Sequence, residues 1–147
     1  MTQDKTPQYI KLDERNHVEK PFLDQLAGLG WEIIDLDSKQ HPGDSYRQSF
    51  NEVVMLKVLR AQLKVINYWL EDYQVEEVIK QLTAGFPGTD LIKNNRHVFT
   101  LLLENTSVSE NRRTGEKSPT VRFVDFTHRD NNRFIAVCQL KVRILGT

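Results

Sequence analysis

Hydrophobic patterning predicts an α/β (α+β) fold for this chain, with helices packed on a mixed sheet. Apolar residues recur at helical spacing through three segments between residues 13 and 83, while the second half is rich in β-branched and aromatic residues. Near the end the pattern alternates strictly, placing Phe134, Ala136, Cys138, Leu140, Val142 and Ile144 on one face of a strand. The 147 residues are expected to form a single domain, 1–147, long enough to bury one core.

Residues 1–12 are polar with a proline and read as a loose arm or an edge strand. Asp13 or Asn16 can N-cap a first helix, Pro21 is tolerated in its first turn, and Val18, Phe22, Leu26 and Leu29 form its apolar stripe. Gly28 and Gly30 stop it. Residues 31–36 read as a short strand and 37–48 as a turn-rich loop.

Ser49 followed by Glu52 has capping-box spacing, so a second helix is expected from there to Asn67. Val54, Val58, Ala61 and Val65 would make one stripe, with Met55, Leu59 and Leu63 beside it, burying a wide face. A third helix over 71–83 turns Val75, Val78, Ile79 and Leu82 inward and ends at Gly85, Pro87 and Gly88.

Strands are then expected at 97–103, 120–126 and 134–144. A long exposed hairpin connection at 105–119 joins the first two, and residues 129–133 join the last two. The chain stops directly off a long apolar strand, and a sheet edge left bare in this way is expected of an interrupted domain.

Lys and Arg total 20, as do Asp and Glu, so the formal net charge is zero. A self-sufficient DNA-binding domain carries a basic excess, because phosphate neutralisation supplies most of its affinity. The balance argues against such a domain, though not against a module within a larger one. Cys138 is the single cysteine, which rules out an intrachain disulfide. The polar N-terminus lacks a signal peptide's apolar run, and no stretch approaches the ~20 apolar residues that span a bilayer, so a cytoplasmic protein without membrane partners is expected.

His17, His41, His97 and His128 lack zinc-ligand spacing. Residues 85–88 lack the Lys-Ser/Thr of a nucleotide-binding loop, so this segment alone is not expected to bind ATP. Cys138, within a strand, reads as a small buried thiol. Glu19 projects from or beside the apolar face of the first helix. It either favours the helix dipole or serves a metal or DNA site.

Asp125, with Gln139 and Lys141 on the next strand, has the outline of an Asp followed by acid/amide-x-Lys, the layout of many Mg²⁺-dependent nucleases. Gln in the acid's place would weaken metal binding by one charge. Lys93, Arg96, Arg112, Arg113 and Lys117 gather in and near the long connection. They are either phosphate contacts or part of a solvated loop that also carries Glu110 and Glu116.

Four stretches, residues 18–31, 58–67, 91–96 and above all 124–126 with 131–142, resemble in order and spacing the N-terminal region of type I restriction enzyme R subunits. The resemblance covers nearly the whole chain from about residue 14. It implies the first part of a restriction-endonuclease-like PD-(D/E)xK nuclease domain, truncated before its catalytic strands. The complete subunit of that family uses Mg²⁺ and ATP, translocates on and cleaves unmodified double-stranded DNA, and assembles with modification (methyltransferase) and specificity subunits.

In that family the segment resembling 132–142 lies just upstream of the metal-binding Asp and Glu-x-Lys. The resemblance therefore implies that Asp125, Gln139 and Lys141 are scaffold. It also implies that the chain alone binds no cofactor and is catalytically inactive. Glu19 matches an auxiliary acid on the first helix, with Glu14 the fallback if the helix register differs. Two other readings stay open: a stand-alone DNA- or protein-binding regulatory domain with a nuclease-like frame, and a small nuclease using Asp125, Gln139 and Lys141.

Overall fold

The computed structural model describes residues 15–37, 41–85 and 90–143. In chain order a π-helical turn (Arg15–Glu19) runs into helix α1 (Lys20–Gly28), followed by strand β1 (Glu32–Asp35) and a 3-10 turn (Pro42–Ser45). Helices α2 (Leu56–Ile66), α3 (Asp72–Thr83) and α4 (Leu91–Glu104) come next. Strands β2 (Thr106–Ser107) and β3 (Thr120–Val121), a 3-10 turn (Arg129–Asn131) and strand β4 (Ile135–Cys138) complete the order. Described residues up to Asn51, together with those from Phe134 onward, form one compact unit, and Glu52–Arg133 forms another.

In the first unit, Pro21 sits in the opening turn of α1, just after the π-helical turn. The helix ends on Gly30, whose φ of 91° only glycine adopts freely. There the Trp31 N–H reaches back to Leu26 O and the Gly30 N–H to Ala27 O, each at 3.0 Å, which closes the helix in a Schellman motif. The chain then enters β1, which pairs in parallel with β4 in the register Glu32↔Ile135 to Asp35↔Cys138. The Trp31 and Phe134 rings pack at 5.2 Å beside the pair.

A two-stranded sheet offers α1 a narrow face. Leu23 and Leu26 reach only half-burial, while Val18, Phe22 and Leu29 of the expected stripe are exposed. β4 stops at Cys138, well short of 144, because Gln139 turns the chain at φ 58°. Asp13, Glu14, Ile144 and the expected arm at 1–12 lie outside the described residues.

The second unit holds the main core: Leu63, Leu70, Val75, Val78, Ile79, Val108 and Val121, flanked by Leu56, Leu59, Trp69 and Phe123. α3 supplies most of it. Its Glu71–Gln74 capping box starts the helix, and Val75, Val78, Ile79 and Leu82 are all buried, as their i, i+3, i+4, i+7 spacing requires.

α2 begins at Leu56, not at Ser49. The Ser49 hydroxyl accepts the Asn51 N–H at 3.2 Å and makes a turn in place of a cap. Its line toward the core runs through buried Leu63 with Leu56 and Leu59, both half-buried as Val58 also is. Ala61 and Val65 face solvent, so the valine stripe and the wide buried face are not observed.

Residues 97–103, read as a strand, lie inside α4. The Asp90 side chain accepts the Lys93 N–H at 3.0 Å, and Asn94, Val98 and Leu101 come to half-burial at helical spacing. A short apolar run fits either period, and the cap upstream decides. The expected strand over 120–126 ends at Val121, where the Asn67 amide takes the place of a neighbouring strand. Its Nδ2 donates to Arg122 O at 2.8 Å and its Oδ1 accepts the Arg122 N–H at 2.9 Å.

β2 and β3 are antiparallel, Thr106 facing Val121 and Ser107 facing Thr120, so residues 108–119 do form a hairpin connection. The described strands thus make a parallel pair and an antiparallel pair where one mixed sheet was expected. Among the described residues no helix is long and apolar enough to cross a membrane.

Candidate functional site

Glu19 closes the π-helical turn and stands at the N-cap of α1. Across from it lie the carboxyl ends of β1 and β4, where Asp35 and Cys138 face each other in register. Asp35 accepts the Asp37 N–H at 3.0 Å and the Arg15 guanidinium at 2.5 Å, and these, with the Cys138 thiol opposite it, hold its carboxyl below the usual range. Arg15 also lies 3.5 Å from Asp37. Burial, then hydrogen bonding to Asp35 and the nearby charges of Asp35 and Glu19, push the Cys138 thiol up to about 11. The Gln139 Nε2 stands 3.4 and 3.5 Å from the two Glu19 oxygens.

The ends of parallel strands are where open α/β sheets gather ligand-binding groups. Glu19 and Asp35 offer the carboxylate oxygens that a hard cation prefers. The donor chemistry suits Mg²⁺ but the number does not, since among the described residues no group of three or more His, Cys, Asp or Glu side chains could hold a metal ion. The described residues supply at most part of such a site.

Asp125 belongs to the other unit, apart from Gln139 and Lys141 in the chain's division. Its buried carboxylate accepts the N–H groups of Thr127 at 3.0 Å and His128 at 2.9 Å, and the Asn131 Nδ2 at 2.9 Å. These donors hold it down at about 2. Its oxygens are thereby committed to shaping the 125–132 loop. Lys141 is exposed.

The five basic residues all lie in the second unit: Lys93 and Arg96 on α4, Arg112, Arg113 and Lys117 on the β2–β3 connection. That connection is built around Asn111, which is wholly buried. The Asn111 Nδ2 donates to Trp69 O and Gln74 Oε1, and its Oδ1 accepts the N–H groups of Arg113 and Thr114. The Glu77 carboxylate accepts the N–H and hydroxyl of Ser109.

Arg112 stacks 4.9 Å from the Tyr73 ring centroid, Arg113 pairs with Glu71 at 2.7 Å, and Lys117 pairs with Glu110 at 2.8 Å. Lys93 lies 3.7 Å from Asp90. Of the histidines, His97 bonds the Gln81 carbonyl at 2.8 Å and His128 lies 3.6 Å from Asp125.

Sequence reading singled out Glu19 but missed Asp35 at the end of β1. Only the parallel pairing of β1 with β4, far apart in the chain, sets Asp35 opposite Cys138. No local motif encodes that register.

The fold is thus a mixed α/β one, with acids gathered where two parallel strands end. A family model described as Type I restriction enzyme R protein N terminus matches residues 11–147, and the chain belongs to that family. It is similar to the Type I restriction enzyme HindI endonuclease subunit of Haemophilus influenzae, at 35% identity over 129 residues. The match covers 87% of this chain and 12% of that relative, so the chain spans about an eighth of the relative's length. No solved structure matches the chain.

Proposed function

We propose that the chain is the opening part of the nuclease domain of a type I restriction enzyme R subunit, with a PD-(D/E)xK core completed by strands beyond it. The observation that carries this reading is the family match over residues 11–147, together with Glu19 lying at the ends of the β1–β4 pair. In the complete subunit, acting in the cytoplasm with modification and specificity subunits, Mg²⁺ and ATP would support cleavage of unmodified double-stranded DNA after translocation.

Glu19 is the auxiliary acid in this reading; Glu14, the fallback, lies outside the described residues. Lys93, Arg96, Arg112, Arg113 and Lys117 are proposed to contact phosphate. The ion pairs of Arg113 and Lys117 hold those side chains in place and leave their heads exposed, 61% and 82% respectively.

The test is Mg²⁺-dependent cleavage by the complete R subunit in its assembled complex. Glu19→Ala should lower the rate about a hundredfold while leaving DNA affinity unchanged. An unaltered rate removes Glu19 from the site. Neutralising Lys93 and Arg96 together should weaken DNA binding and make its salt dependence shallower by about two phosphate contacts. An unchanged salt slope removes them from the interface.

A further inference from the structure

Adjacent residues of a strand point to opposite faces of the sheet. The rule ends with β4 at Cys138: the next residue, Gln139, leaves the strand and sets its amide 3.4 and 3.5 Å from the two Glu19 oxygens. The backbone of Gln139 allows this. Its φ of 58° lies in the left-handed region, which a residue with a Cβ enters only at a cost.

The alternating apolar pattern would have carried β4 straight on through Val142. Instead the turn at Gln139 ends the strand and leaves Leu140 and Val142 each 45% exposed. Non-glycine residues held in this region cluster at functional sites; among the described residues Tyr46 at φ 56° and Asn105 at φ 64° share it, and Gln139 is the one that interrupts an alternating pattern. The side chain aimed by that turn also has suitable chemistry, since an amide nitrogen presents two N–H donors and no charge to a carboxylate.

We propose that Gln139 is a positioning residue: its left-handed backbone aims the side-chain amide at Glu19 and fixes that carboxylate's orientation at the ends of β1 and β4. The inference rests on Glu19 being the auxiliary acid of the cleavage site. It gives Gln139 a role distinct from that of metal ligand in an acid's place, because the amide acts through Glu19.

Single-turnover cleavage of unmodified double-stranded DNA by the complete R subunit, with its modification and specificity subunits, tests the proposal alongside DNA affinity and thermal stability. Gln139→Ala should slow cleavage about tenfold with DNA affinity unchanged. Gln139→Gly relieves the backbone, so it should match or exceed the parent's Tm and yet cleave as slowly as Gln139→Ala. Combined with Glu19→Ala, either change should add nothing further, because both act through one carboxylate.

Cleavage at the parent rate by Gln139→Gly would make Gln139 a backbone turn only and overturn the proposal. So would losses that multiply in the double variant. If Glu19→Ala itself cleaves normally, the reading of Glu19 fails first and carries this inference with it. If Glu19→Ala is slow and Gln139→Ala is not, the inference alone fails.

Discussion

The Asn111 Nδ2 donates to the Gln74 Oε1 at 2.9 Å, and both side chains are wholly buried. Gln74 in turn accepts the Glu71 N–H at the start of α3 and donates to the Ser109 carbonyl. One network therefore satisfies a helix N-terminus and folds a polar connection that would otherwise be loose. In low dielectric such a network stabilises only when every member is paired. Asn111→Ala leaves the N–H groups of Arg113 and Thr114 without their partner and takes one of two donors from Trp69 O, which keeps the Arg113 guanidinium; it should cost about 2–4 kcal/mol in chemical denaturation. A loss below about 0.5 kcal/mol would show the connection to be held by other contacts.

Asp125 gives the protein an acid-sensitive point. Its folded-state value of about 2 lies below the ordinary 3.8, so its contribution is fully present above about pH 4 and is lost as pH falls through 2. Asp125→Asn cannot titrate, and it sets an amide donor against the Asn131 Nδ2. The variant should therefore have a lower Tm at pH 7 and a shallower fall of Tm between pH 4 and 2 than the parent. Parallel Tm curves across that window would contradict the assignment.

The register of α2 is tested by two neighbours on one helix. Leu63 is 1% exposed and Val65 50% exposed. Leu63→Ala should destabilise the chain by about 2–5 kcal/mol through lost transfer energy and a residual cavity. Val65→Ala, at the surface, should stay within about 0.5 kcal/mol. The reverse order would restore the valine stripe that the sequence spacing suggested.

Where a residue's local chemistry admits one solution, the fold was legible in the sequence. α3 has one apolar stripe and buries it, and of the two glycines at the end of α1 it is Gly30 that takes the φ of 91°. α2 carries two adjacent stripes, Val54–Val58–Ala61–Val65 and Met55–Leu59–Leu63, and only tertiary packing chooses between them. The run at 97–103 fits a strand by composition, and a cap seven residues upstream makes it helix. At the site, Glu19 could be found because it sits in the first turn of an amphipathic segment. Asp35 could not, since it depends on a parallel register; Gln139 was singled out, but as a partner of Asp125 and Lys141, because its approach to Glu19 depends on a left-handed backbone that contradicts the alternation around it.

Cys138 should behave as an inert thiol despite its polar surroundings. It is 7% exposed, and burial together with Asp35 and Glu19 raises it to about 11, so almost no thiolate forms at neutral pH. Iodoacetamide at pH 8 should label the folded chain far more slowly than the same chain in denaturant, at least about tenfold. Because the folded state keeps a proton that the unfolded state gives up from about pH 9, stability should also decline as pH rises from 9 toward 11. Cys138→Ala should remove that alkaline decline while leaving the β1–β4 backbone pairing in place. Rapid stoichiometric labelling of the native chain at pH 8 would mean that the thiol is open to solvent, contrary to its burial opposite Asp35.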